Sequence, residues 1–113
     1  MEPDLTFWQY MNIVDKTAMY PDRGQNIVYP VLGLNGEAGE VADKLKKIMR
    51  DKEGFVSDED RFSIIKELGD VLWYINAVAY ELDTTLEYIA KTNIDKLLRR
   101  LESGTIQGSG DDR

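Results

Sequence analysis

Apolar residues recur at helical spacing in four stretches of the chain, and no stretch sustains a period-two alternation. The first stretch opens at Thr6-x-x-Gln9, the form of a capping box, with Leu5 and Tyr10 spaced for a hydrophobic staple. The spacing predicts a helix to about Met19, broken by Pro21-Asp22-Arg23-Gly24. A second helix is expected with Asn26 or Tyr29 as its cap and Pro30 in its first turn, running to about Arg50. Residues 51–57, with Gly54 among them, read as a connector. Ser57 followed by Asp58, Glu59 and Asp60 suits the positive end of a helix dipole, and the third helix should reach about Leu82. Thr84-x-x-Glu87 reads as a capping box for a fourth helix that ends near Leu101, with Arg99 and Arg100 in its last turn. Residues 103–113 hold three glycines and read as a flexible or extended tail. The expected architecture is one all-α domain over residues 1–102, a four-helix bundle-like protomer, followed by that tail.

The periodicity also says which side chains share a face. With each residue advanced by about 100°, Leu34, Val41, Leu45 and Ile48 form one apolar arc on the second helix. Ile64, Val71, Ile75 and Val78 form its counterpart on the third. From Val71 to Ala79 the third helix is apolar around nearly its whole circumference, with Trp73 and Tyr80 pointing away from the core arc. A helix apolar all round is buried on all sides. A subunit interface explains this economically, most simply in a two-fold dimer, and a locally thick core is the alternative. On the fourth helix Leu86, Leu97 and Leu101 form the core arc, bordered by Asn93, Lys96 and Arg100. That polar and basic row reads equally as a grip for phosphate or as cations that satisfy a helix C-terminus.

Composition removes several kinds of chemistry. A net charge of −7 argues against a general nucleic-acid binder. The chain has no Cys and no His, so it has no disulfide, thiolate metal site or His-based catalysis. Its N-terminus, Met-Glu-Pro-Asp, lacks the order of a signal peptide. Its most apolar stretch, 71–80, contains Asn76 and is half the length of a membrane span. A cytoplasmic protein with no membrane partner is expected.

What remains is a duplicated acidic word. Residues 37–41 read Glu-Ala-Gly-Glu-Val and residues 67–71 read Glu-Leu-Gly-Asp-Val. Each word puts two carboxylates at i and i+3 on one helix face, at the edge of the core arc. Two such helices side by side would gather Glu37, Glu40, Glu67 and Asp70. At an effective dielectric near 20 each close pair costs about 3 kcal/mol. A divalent cation is the usual remedy, and all-oxygen ligands point to Mg2+ or Mn2+. The alternative is a solvated charged face. Gly33-Gly36-Gly39 has the wrong spacing for a nucleotide-binding fingerprint and reads as close helix packing. Lys44 and Lys47 could grip phosphate or pair with nearby carboxylates.

The paired acidic words resemble the signature of the all-α nucleoside triphosphate pyrophosphohydrolases. Their surroundings resemble the MazG-like members: Tyr29-Pro30, the run 33–41, Glu-Leu-Gly-Asp-Val-Leu-Trp-Tyr at 67–74, Asn93-x-x-Lys96, and Gly-Thr-Ile-Gln-Gly-Ser-Gly-Asp at 104–111. The resemblance implies a helical protomer that forms a homodimer or homotetramer. It implies Mg2+-dependent cleavage of a (deoxy)nucleoside triphosphate to the monophosphate and pyrophosphate. The metal ligands it implies are Glu37, Glu40, Glu67 and Asp70. With no His in the chain, a carboxylate must be the general base if a protein group serves, Glu37 or Glu40. Asn93, Lys96, Arg100 and Lys44 would meet the phosphates, and Trp8, Gln9, Asn12 or a partner's tail would meet the base. Phosphoribosyl-ATP, dUTP or dCTP as substrate, or a non-catalytic helical oligomer, are the competing readings.

Overall fold

The computed structural model describes residues 4–111. Among them are four α-helices and no strand: α1 Phe7–Thr17, α2 Val28–Lys52, α3 Asp58–Glu81 and α4 Leu86–Ser103. The all-α expectation holds, with helix ends displaced by about two residues. Both bonds of the Thr6–Gln9 capping box form, at 3.1 and 2.9 Å. Ser57 and Asp60 form a second box. The cap of α4 is Thr85, not Thr84: the Thr85 hydroxyl accepts from the Tyr88 amide at 3.1 Å. The Thr84 amide is already committed to the Ala79 carbonyl at 2.9 Å, in the turn that closes α3. At α2 neither Asn26 nor Tyr29 is the cap. That position is Ile27, and the Asn26 side chain accepts from the Tyr29 amide one residue earlier.

Helices α2 and α3 form a long antiparallel hairpin joined by residues 53–57. Their apolar arcs meet, with Ile48 buried and Leu34, Val41, Ile64, Val71, Ile75 and Val78 half-buried, while Leu45 stays exposed. Helix α1 packs on α3 and α4, and α4 packs on α3, but neither α1 nor α4 approaches α2 among the described residues. The radius of gyration is therefore 17.0 Å, where a compact chain of this length would have about 13 Å.

On α3 the locally thick core accounts for Trp73. The side of α3 that carries Trp73 and Tyr80 is partly covered within the chain by α1 and the α1–α2 connection, leaving Trp73 half-buried and Tyr80 exposed. Ala18, Tyr20 and Ala77 form a buried cluster with Trp73 against it, and the Arg23 guanidinium lies 3.8 Å over the Tyr80 ring. The apolar arc of α4 is buried at Leu86, while Leu97 and Leu101 stay exposed.

Of the three glycines in the 33–39 run, only Gly33 meets the packing expectation. A Cβ there would fall 2.1 Å from Cε1 of Tyr74, so the absent side chain is what lets the Tyr74 ring lie on α2. At Gly36 and Gly39, and likewise at Gly69 on α3, an added Cβ would meet nothing within 4 Å. Residues 104–111 turn back on α4, where the Arg100 guanidinium donates to the carbonyls of Gly110 and Asp111.

Candidate active site and metal centre

The α2–α3 hairpin brings the two acidic words together. Glu37, Glu67 and Asp70 each present a carboxylate oxygen, and these oxygens lie within 4.8 Å of one another. Burial at the hairpin raises the Glu37 carboxyl above its ordinary range, and the neighbouring charges of Asp70, Glu67 and Glu40 raise it further. Glu40 is itself exposed and stands outside the trio, so three of the four expected ligands converge and the fourth sits at the rim. Lys44, one turn further along α2, places its Nζ 3.7 Å from Oε1 of Glu67. A set of hard oxygen donors crowded enough to raise one member's pKa fits a divalent cation of the Mg2+ type.

The trio opens on a depression of about 290 Å3 lined by Glu37, Asp70, Trp73 and Tyr74. Trp73 and Tyr74 follow Asp70 at i+3 and i+4, which puts them on the adjoining helix face. That spacing was available in the sequence, where Trp73 instead stood out as an interface residue. The Trp73 Nε1 donates to the Thr17 hydroxyl at 2.8 Å. The Tyr74 phenol is pushed up by burial first, then by Tyr29 and by the Glu37 and Asp70 carboxylates. Tyr10 of α1 is also raised, by burial and by the charge of Asp70.

The three α1 residues expected at the base are not among the described residues that line the depression. Trp8 lines a separate crevice with Phe7, Met11, Thr85, Leu86 and Glu87. The Gln9 side chain is occupied in the capping box, and Asn12 is half-buried on α1. The basic row of α4 is divided. Asn93 and Lys96 border an open groove of about 460 Å3 with Thr84, Tyr88, Ile89 and Thr92. Arg100 is buried and holds the tail, and the Asp111 carboxylate bridges it to Lys96 at 3.3 and 3.1 Å.

The model of the MazG nucleotide pyrophosphohydrolase domain matches residues 29–104. The chain belongs to the MazG family. This MazG domain takes in both acidic words, the aromatic pair and the basic row, and leaves α1 outside the matched span. The chain is also similar to the Gene 37 protein of Mycobacterium phage L5, 44% identical over 109 residues, covering 92% of this chain and 96% of that protein. No solved structure matches the chain. MazG domains are all-α and typically metal-dependent, which agrees with the four helices and the oxygen-donor trio described above.

Proposed function

We propose that the protein is an Mg2+-dependent nucleoside triphosphate pyrophosphohydrolase that converts a (deoxy)nucleoside triphosphate to its monophosphate and pyrophosphate. The observation that carries this reading is the convergence of Glu37, Glu67 and Asp70 beside an aromatic-walled depression, in a chain of the MazG family. Mg2+ held by the trio, with Glu40 at its rim, would supply the positive charge a triphosphate needs in order to enter an acidic site. Mn2+ has the same preference for oxygen and would substitute.

The chain's own groups then divide the work. Glu37 lines the depression and Glu40 does not, which favours Glu37 over Glu40 as the carboxylate that takes the proton from the attacking water. Water adds to the α-phosphorus, the bond from that phosphorus to the bridging oxygen breaks, and pyrophosphate leaves. Lys44 beside Glu67 offers charge to the departing phosphates. Trp73 and Tyr74 form an aromatic wall against which the nucleotide would lie. For the base, Trp8, Gln9, Asn12 or a partner's tail are the proposed contacts, although Trp8 lines a separate crevice within the protomer.

Asn93, Lys96 and Arg100 lie on a helix that does not approach α2 within one protomer. Their service to phosphate is proposed across two copies of the chain, in a homodimer or homotetramer. Val28, Leu32, Gly36 and Gly39 share one face of α2, and Ile65, Leu68, Gly69 and Leu72 share one face of α3, both away from the acids. These two exposed faces, with glycines small enough for close approach, are proposed as contact surfaces between copies in place of the Trp73–Tyr80 side. Leu72→Glu should shift the sedimenting species to monomer, and a monomeric native protein at micromolar concentration would refute the assembly.

The reaction is tested with a panel of ribo- and deoxyribonucleoside triphosphates and phosphoribosyl-ATP, with Mg2+ and with EDTA. Release of pyrophosphate from at least one of them is expected. Orthophosphate as first product, or no turnover at all, would overturn the assignment in favour of a non-catalytic oligomer. Among the described residues no helix is long and apolar enough to cross a membrane. With the acidic composition, this favours a small polyanion reached through a metal over a membrane or a nucleic-acid polymer as partner. The expected cytoplasmic location stays part of this proposal.

A further inference from the structure

The aromatic walls of the depression do not stand on the α2–α3 hairpin alone. Trp73 is tied to α1 through the Thr17 hydroxyl and packs on the cluster of Ala18, Tyr20 and Ala77. Tyr74 lies in the notch left by Gly33 and interacts with Tyr29. Tyr29 in turn stacks on Tyr20, with ring centroids 5.0 Å apart and planes 9° from parallel. Trp73 thus leans on the cluster that holds Tyr20, in the connection between α1 and α2, and Tyr74 reaches that side chain through Tyr29.

That connection is fastened to the far end of α3. Glu81, the last residue of α3, accepts the Tyr20 hydroxyl at 2.5 Å and the backbone amides of Gly24 and Asn26 at 2.7 Å each. Three donors on one carboxylate are charge-assisted hydrogen bonds and among the stronger contacts open to an uncharged donor. The partners lie more than fifty residues away in sequence, and the site described above makes no use of Glu81 itself. Arg23 supports the same loop by bonding Asp15 at 2.7 Å and lying over Tyr80.

We infer that Glu81 is a positioning residue for the candidate site, a carboxylate latch that holds the α1–α2 connection so that Tyr20 can set both Trp73 and Tyr74 beside the acid trio. The inference rests on the pyrophosphohydrolase reading for its kinetic consequence but not for its mechanical one. Glu81 touches neither the trio nor the depression, so its loss should leave metal binding in place. It should loosen the walls against which a nucleotide would lie, raising KM more than it lowers kcat. A wall misplaced by an ångström can cost up to about a hundredfold, and a loosened one about tenfold in KM is expected here.

The test uses the full chain with Glu81→Ala and, as the gentler change, Tyr20→Phe, which keeps the ring and removes only the hydroxyl. The chain has two tryptophans, Trp8 and Trp73. Fluorescence is therefore read in a Trp8→Phe background and kinetics with Trp8 in place. The expected result is a red shift and stronger acrylamide quenching of Trp73, unchanged helical circular dichroism, unchanged Mg2+ half-saturation, and a raised KM with kcat nearly kept. Unchanged Trp73 emission and KM in both folded variants would overturn the inference. So would a loss of kcat, nucleotide binding and Mg2+ binding in step with unfolding, which would make Glu81 merely structural. If the native protein turns over no nucleotide while Trp73 still responds to Glu81→Ala, the coupling is supported and the enzymatic reading fails separately.

Discussion

Glu37→Gln should make the metal-free protein more stable, and Glu67→Gln should do so much less. Glu37 faces two carboxylates of the trio within 4.8 Å. Each such pair costs about 1 kcal/mol at the dielectric of water and about 3 kcal/mol at the value near 20 that suits a protein surface. Removing the Glu37 charge removes two of the three pairs, a relief of about 2 to 6 kcal/mol before side chains relax. On an open, half-exposed face, relaxation and screening bring the expected gain to about 1–2 kcal/mol. Glu67→Gln removes two pairs as well, but it also removes the attraction of Lys44 at 3.7 Å, which is worth about as much as one of them. The pH dependence has a definite sign. Because the folded Glu37 carboxyl sits above its unfolded value, ionising it costs stability. The metal-free native protein should therefore lose stability as pH rises from the ordinary carboxyl value through the raised one, and Glu37→Gln should lack that fall. Mg2+ at one hundred times its Kd would add about 2.7 kcal/mol to the native protein and much less to either variant. Melting curves with EDTA and with excess Mg2+ at several pH values read all of this, since 1 kcal/mol moves Tm by roughly 4–8 °C in a domain near this size. If Glu37→Gln melts several degrees below the native protein in EDTA, the Glu37 charge holds the fold together, and the trio is not a metal site kept at a cost in stability.

The remaining predictions concern packing, the latch and the basic row. Gly33→Ala should cost about 1–3 kcal/mol by pushing Tyr74 off α2, and should lower kcat/KM. Gly39→Ala meets open space in the protomer, so it should raise helix stability by about 1 kcal/mol in a monomer; weakened assembly would instead place a second copy against that face. Burial is the largest single influence on Glu81 and opposes its ionisation, yet the bonds from Tyr20, Gly24 and Asn26 and the Arg23 charge together hold its carboxyl below the ordinary range. Its contribution is thus present above the unfolded value and lost as pH falls through the folded one, so Glu81→Gln should flatten the acid limb of a stability–pH curve. Lys96→Ala should lower kcat/KM with Mg2+ binding intact. Arg100→Ala should in addition free the tail, read as proteolytic cleavage after residue 104. Unchanged kinetics in both would assign the row to the helix terminus.

Much of this protein is local and therefore legible in one dimension. Thr6–Gln9 and Ser57–Asp60 fix helix starts through bonds between residues three apart, and the 3.6-residue repeat fixes which arcs of α2 and α3 can face each other. The duplicated acidic words needed only those two facts to be placed side by side, which is why Glu37, Glu67 and Asp70 converge as the spacing predicts. Contacts distant in sequence were decided only by tertiary structure. The packing of Trp73 against Tyr20 and of Arg23 over Tyr80 depends on where the α1–α2 connection runs. Glu81 at the end of α3 sets that course by binding Gly24 and Asn26, and no periodicity encodes it. The capture of Arg100 by the tail and the exposure of Leu97 and Leu101 follow likewise from what lies opposite α4 in space. Helix periodicity says that a face is apolar. Which surface covers it is a long-range choice, settled by the few polar contacts strong enough to fix a loop.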